Sequence, residues 1–122
     1  MPRASATAHE LARIELLASL SGEQLAKLAA RMRRETVLPG TAPMVEGEEG
    51  DRFYAILSGM FSVTKAGLGE RAILRPGDYF GEVALAMDIP RTATVRAMTP
   101  AVVASCDRAT FDEFIRPLFA DD

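Results

Sequence analysis

Glu82 and Arg91 stand nine residues apart in the stretch GDYFGEVALAMDIPRTATVRA, residues 77–97, an acid heading a short apolar segment and a base just ahead of a strand-like run. An ionised carboxylate only accepts hydrogen bonds, so Glu82 suits hydroxyl donors such as those of a ribose. Arg91 follows Pro90 and precedes the strand, which gives its planar guanidinium a fixed origin from which to grip two phosphate oxygens at once. Gly81 leaves room for a ligand to approach the backbone. The segment EVALAM is long enough for about one and a half helical turns, and its first amides carry partial positive charge that attracts a phosphate. An acid for hydroxyls beside a base for an anion points to a sugar phosphate. The competing reading is that Glu82 and Arg91 pair with each other across a half-buried loop.

The elements that must hold these residues are short. Thr7 and Glu10 are spaced as a capping box, and Leu11, Ile14 and Leu17 follow at helical intervals, which predicts a first helix ending near Ser19. Ser21 and Gln24 repeat the signal for a second helix from about Gly22 to Arg34, with Leu25, Leu28, Ala29 and Met32 inward. The two read as a helical hairpin. From Glu35 the pattern changes to short runs ended by Gly, Pro or Asp, the punctuation of an all-β barrel or sandwich. Candidate strands are 36–39, 43–47, 53–59, 61–66, 71–75, 92–97 and 101–106, with Gly59, Gly67 and Gly69 allowing the tight reversals. Asp107 is placed to cap a last helix whose Phe111, Phe114, Ile115 and Leu118 share one face, and Pro117 is expected to kink or end it.

Composition narrows the chemistry. The 122 residues are 48% hydrophobic and 25% charged, as for one globular domain with a modest core, and no apolar run approaches the roughly 18 residues that span a bilayer. The N-terminus lacks the apolar centre of a secretory signal, so a cytoplasmic protein is expected, with no membrane insertion by this segment. The formal net charge of -3 argues against direct nucleic-acid binding, and the densest basic cluster, Arg31, Arg33 and Arg34, suits a helix C-terminus. Cys106 is the single cysteine and reads as a buried strand residue; with His9 the only histidine, no thiolate or imidazole metal site is available. A hydrolase acting on a phosphodiester needs an activated nucleophile or a metal. His9 lies far along the chain from Glu82, and no acid cluster has metal-ligand spacing.

The ordered set PGDYFGEVAL, a short spacer, then PRTATVRA resembles the phosphate-binding cassette of the cyclic-nucleotide-binding domain family, which includes the catabolite activator protein, protein kinase A regulatory subunits and cyclic-nucleotide-gated channels. LLASLSGEQLAKLAARM and EGEEGDRFYAILSGMFSV extend the resemblance over nearly the whole chain. It implies a mainly β fold with flanking α: an antiparallel β-roll of the double-stranded β-helix, jelly-roll type, with an N-terminal helical hairpin, a short cassette helix and a C-terminal helix. It further implies one domain over 1–122, with helices at 1–34, the β-roll at 35–107 around the cassette 77–97, and the C-terminal helix at 108–122.

Carried over by position, the resemblance implies that Glu82 accepts the ribose 2'-hydroxyl and Arg91 holds the exocyclic phosphate oxygens. Backbone around Gly81, Val83 and Ala84, with an amide of Thr92 or Ala93, completes the phosphate cradle. Val63 and Ala72 fall where the family's strands face the purine; ordinary barrel core explains them equally well. A hydroxyl after the arginine, here Thr92, is sometimes associated with cGMP, yet a Thr opening a strand needs no ligand to explain it; cAMP is favoured and cGMP possible. The family usually continues into a long lid helix over the base, whereas here little sequence follows Pro117 and no helix-turn-helix follows the roll. The expectation is a non-catalytic module, without cofactor, that senses a cyclic nucleotide for an effector domain of a larger parent protein. The alternative is the same fold with an empty or repurposed pocket, serving as an interaction module.

Overall fold

The computed structural model describes residues 5–119, so the two ends of the expected 1–122 domain lie outside the described residues. Two antiparallel sheets form a roll. The first has the order β1 (Arg33–Val37), β7 (Ala101–Asp107), β2 (Arg52–Ser58), β5 (Tyr79–Phe80); the second has β4 (Gly69–Leu74), β3 (Phe61–Lys65), β6 (Thr94–Ala97). Strand β2 is buried on both faces, which explains its continuous apolar run. Tyr54 and Ile56 join Val37, Phe61, Phe80, Val95 and Val103 in the core shared by both sheets, while Phe53 and Ala55 pack on the helices with Ala104, Cys106, Leu28 and Phe111. This is the mainly β roll with flanking helices that the sequence motifs led us to expect.

Helix α1 (Ala8–Leu11) and helix α2 (Gly22–Arg31) both start with the expected capping boxes, Thr7 with Glu10 and Ser21 with Gln24. The first helix does not run to Ser19. After Leu11 the chain breaks, Ile14 is extended, and a separate 3-10 turn covers Glu15–Leu17. Leu11, Ile14 and Leu17 recur every three residues, a spacing that tight turns can place on one side, and all three are fully buried. Helix α2 also stops early, because Met32 adopts an extended conformation while keeping its side chain in the core. Arg31 alone is in the last turn; Arg33 and Arg34 belong to β1, where Arg34 pairs with Glu10 at 3.0 Å.

The strand pattern differs most from expectation at three places. Strand β1 is a sheet edge whose outward charged residues carry no apolar alternation, so it begins at Arg33 and ends at Val37, before the exposed Leu38. Segment 43–47 is not a strand. Pro43 has no N–H, and the neighbouring backbone runs irregularly beside 91–95, through Val95 N–H to Met44 O, Glu46 N–H to Thr94 Oγ1 and Gly47 N–H to Arg91 O. Its place as a seventh strand is taken by β5, two residues opposite Tyr54 and Ala55, too few to show any periodicity.

Cys106 is fully buried in β7, and burial pushes its thiol up to about 12. Asp107 caps the C-terminal segment by accepting the Thr110 N–H at 2.9 Å. Helix α4 (Arg108–Thr110) then widens over Phe111–Ile115, where the Arg116 N–H reaches Phe111 O, and tightens over Arg116–Phe119. Pro117 therefore does not end the helix. A regular turn would set its ring against the carbonyl four residues back, and the change of pitch before it lets the chain continue.

Candidate functional site

Strand β5 pairs with β2 through Tyr54 and Phe80, and the next residue, Gly81, leaves the ladder to cap helix α3 (Glu82–Met87). Gly81 has φ 93°, a left-handed conformation that lets the chain turn sharply from strand into helix. The β2–β5 pairing ends at Tyr54 and Phe80, and the next backbone carbonyls, Gly81 O and Arg52 O, face the Arg91 side chain. The guanidinium donates to both: Nη1 to Gly81 O at 3.0 Å and Nη2 to Arg52 O at 2.8 Å. The Arg91 backbone is fixed as well, its N–H bonded to Glu48 O at 2.8 Å and its carbonyl accepting from Gly47 at 2.9 Å.

Arg91 is only 6% exposed, and among the described residues no carboxylate lies within ion-pairing distance of it. Burial lowers its pKa, opposed by the fields of Tyr54, Asp51 and Glu82. Two neutral carbonyls orient this cation without neutralising it, which leaves it complementary to an anion. The direct Glu82–Arg91 pair that competed with the ligand reading is not formed.

Glu82 is half-buried at the first position of α3. Burial raises its pKa above the ordinary 4.5, while a hydrogen bond from its own amide and the field of Arg91 draw it back. Val83 and Ala84 complete the first turn, Ala84 buried. Across from them, β6 starts at Thr94 instead of Thr92, so Thr92 and Ala93 stay outside the ladder. Among the described residues neither of their N–H groups has a partner. Gly81, Glu82, Val83, Ala84, Arg91, Thr92 and Ala93 thus belong to the two ends of one excursion between β5 and β6. Val63 and Ala72 sit apart in the second sheet, directly opposite each other on β3 and β4. Val63 packs against the shared core, but Ala72 is exposed and is not barrel core.

Two features escaped the sequence. The space beside Gly81 is not open to a ligand: a Cβ there would lie 2.8 Å from Arg52 O and 3.1 Å from Arg91 Nη1, so the absent side chain makes room for protein groups. Gly50 does the same from the other side, since a Cβ on it would fall 2.2 Å from Arg91 Nε and 2.3 Å from Cζ. The stretch EGEEGD entered only as part of the family resemblance, and nothing local showed that its second glycine is a wall for an arginine forty-one residues away. Tyr54, stacked on Phe80 at 4.8 Å, lies near enough for the charges of Arg91 and Glu35 to shift its phenol, although burial is the larger cause of its raised pKa.

The far end of α3 is held by the C-terminal segment. Arg116 donates to Ala86 O at 3.0 Å and to Leu85 O at 2.9 Å, and Arg108 donates to Leu85 O at 3.2 Å, cations at the carbonyl end of a helix. Among the described residues no helix is long and apolar enough to cross a membrane.

Comparison with known proteins bears on the fold and the family. A cAMP-dependent protein kinase regulatory subunit of Yarrowia lipolytica is 44% identical over 109 residues, covering 88% of this chain and 29% of that protein. The cGMP-dependent protein kinase egl-4 of Caenorhabditis briggsae is 36% identical over 124 residues, covering 97% of this chain and 17% of that protein. A structure of the regulatory domain of Toxoplasma gondii PKA with cAMP superposes with a TM-score of 0.86 at 30% identity, over 91% of this chain and 44% of that one. The chain thus spans less than a third of the length of these two curated relatives. Residues 34–117 match the model of the cyclic nucleotide-binding domain, and the chain belongs to that family.

Proposed function

We propose that this chain is a non-catalytic regulatory module that binds a cyclic nucleotide, cAMP in preference to cGMP, in the cytoplasm as part of a longer protein. The observation that carries the reading is Arg91, a buried, immobilised cation with no acidic partner at ion-pair distance among the described residues. A cyclic phosphodiester supplies one negative charge and two exocyclic oxygens, matching a guanidinium whose two Nη atoms each keep a further N–H after donating to the carbonyls. The free amides of Thr92 and Ala93, with the backbone of Gly81, Val83 and Ala84, complete the cradle. Glu82 takes the ribose 2'-hydroxyl, and Val63 with Ala72 offers a small apolar platform to the purine. The regulatory-subunit relatives favour cAMP, and the cGMP-dependent kinase among the relatives keeps cGMP as the competitor to test.

Drawing the cassette onto the phosphate moves α3, and α3 is tied at Leu85 and Ala86 to the C-terminal segment. Phe111, Phe114, Ile115 and Leu118 then report occupancy to an effector domain. Such a signal requires that the nucleotide bind the two arrangements unequally.

Calorimetric titration with cAMP and with cGMP tests the reading. Saturable binding, tighter for cAMP, supports it; absence of heat and of competition at high protein concentration favours an interaction module with an unused pocket. Intact nucleotide after prolonged incubation is expected, and hydrolysis dependent on the chain overturns the non-catalytic assignment.

Two variants refine the site. Gly50→Ala puts a methyl where the Arg91 side chain lies, so the guanidinium must swing off its two carbonyls. Gly50 lacks a positive φ, so backbone strain is not added. Its cAMP affinity is expected to fall about tenfold, roughly 1.4 kcal/mol by calorimetry, with unfolding stability reduced much less.

The raised pKa of Glu82 sets a pH dependence. Only the ionised form is a pure acceptor, so binding weakens on acidification, beginning above the pH at which an ordinary glutamate protonates. The sign for folding is opposite. A carboxyl whose folded pKa is raised takes up its proton more readily when folded, so its own contribution to stability rises as pH falls. Glu82→Gln removes both dependences, and affinity and denaturant unfolding measured at neutral and mildly acid pH on the pair of proteins isolate them.

A further inference from the structure

Ser105 is a hydroxyl with no exposed surface in the strand run AVVASC. Its register places it opposite Tyr54 of β2 and Arg33 of β1, and the residues two steps along on either side, Arg52 and Glu35, share its face of the sheet. Both reach it. Arg52 donates to Ser105 Oγ through Nε at 3.2 Å and through Nη2 at 3.0 Å, while Ser105 Oγ donates to Glu35 Oε2. The hydroxyl's single proton and its lone pairs are all engaged.

The chain of bonds does not stop at Arg52. Arg52 opens β2, where strands tend to fray, and its carbonyl is one of the two acceptors that hold Arg91. Two residues before it stands Gly50, whose backbone forms the wall against the Arg91 guanidinium. Whatever fixes Arg52 therefore fixes both the acceptor and the wall. We propose that Glu35, Ser105 and Arg52 are positioning residues for Arg91, a relay across three neighbouring strands that sets where the phosphate-gripping guanidinium lies before nucleotide arrives. The proposal rests on the functional reading above for its effect on affinity, though not for its effect on Arg91 itself.

The test uses the full chain. The Nε–H resonance of Arg91 is assigned in a nucleotide-free proton–nitrogen correlation spectrum by its loss in Arg91→Lys, and cAMP affinity is measured in parallel. Ser105→Ala is expected to shift or broaden that resonance and to weaken cAMP binding about fivefold, the size of coupling usual for groups in one hydrogen-bond network. The same change made in Arg91→Ala should cost nothing further. Glu35→Gln, which keeps an acceptor for the Ser105 hydroxyl, retains affinity, whereas Glu35→Leu does not. If Ser105→Ala fails to fold, Arg52→Met keeps the carbonyl and removes the fork, and the same two readouts apply. A lower melting temperature with the Arg91 resonance and cAMP affinity unchanged reduces the relay to packing and overturns the inference. If the unsubstituted chain binds no nucleotide, the functional reading fails separately, and the resonance alone decides whether the relay positions Arg91.

Discussion

Arg91→Ala is expected to lose about 1.5–3 kcal/mol of cAMP binding, roughly 10- to 150-fold in Kd, while the protein remains folded. The loss is large because the phosphate forfeits a charge-assisted bidentate contact inside a region with no other buried cation; Arg91 is the sole charged side chain in the buried set among the described residues. The effect on folding is smaller because two costs offset. Deleting the side chain takes a donor from Gly81 O and Arg52 O, but it also relieves the burial of an unneutralised charge, the cause of its lowered pKa. Arg91→Lys restores a charge without the fork that spans both carbonyls, so it should recover only part of the affinity. Calorimetry for binding and denaturant unfolding for stability separate the two effects. Equal losses in both would mean that Arg91 is a structural residue.

The second large effect is on stability. Gly81→Ala forces a side chain onto φ 93° and drives its Cβ to 2.8 Å from the Arg52 carbonyl, a backbone atom that cannot swing away. Gly40 has a comparable φ of 85° but open space around its Cβ position. Gly40→Ala therefore measures the conformational strain alone, about 1–2 kcal/mol. Gly81→Ala adds the collision and should cost about 3 kcal/mol or more in denaturant unfolding. Similar losses at the two positions would show that the close packing beside Gly81 relaxes freely.

How much of this was legible depended on whether the cause was local. The caps at Thr7, Ser21 and Asp107, the turn at Gly59 and the helix after Gly81 are set by neighbours within four residues, and each formed where the pattern placed it. Glu82 and Arg91 stood out because their charges interrupt apolar sequence. What the sequence hid was long-range. Strand β1 is an edge written in Arg and Glu, and β5 exists only because β2 offers it partners. The break at Ile14 and the pitch change before Pro117 are local departures that keep apolar side chains in the core. Around Arg91 the decisive groups are the carbonyls of Arg52 and Gly81 and the bare backbone of Gly50, and no side-chain type announces a carbonyl's position.

The central claim is that Arg91 is held ready for the phosphate of a cyclic nucleotide while Glu82 receives its ribose. A crystal structure of this chain grown with cAMP tests it most directly. The expected density shows the exocyclic phosphate oxygens within hydrogen-bonding distance of the Arg91 guanidinium and the 2'-hydroxyl on the Glu82 carboxylate. Density for the nucleotide elsewhere, with Arg91 bonded only to its two carbonyls and Glu82 turned to solvent, would contradict it.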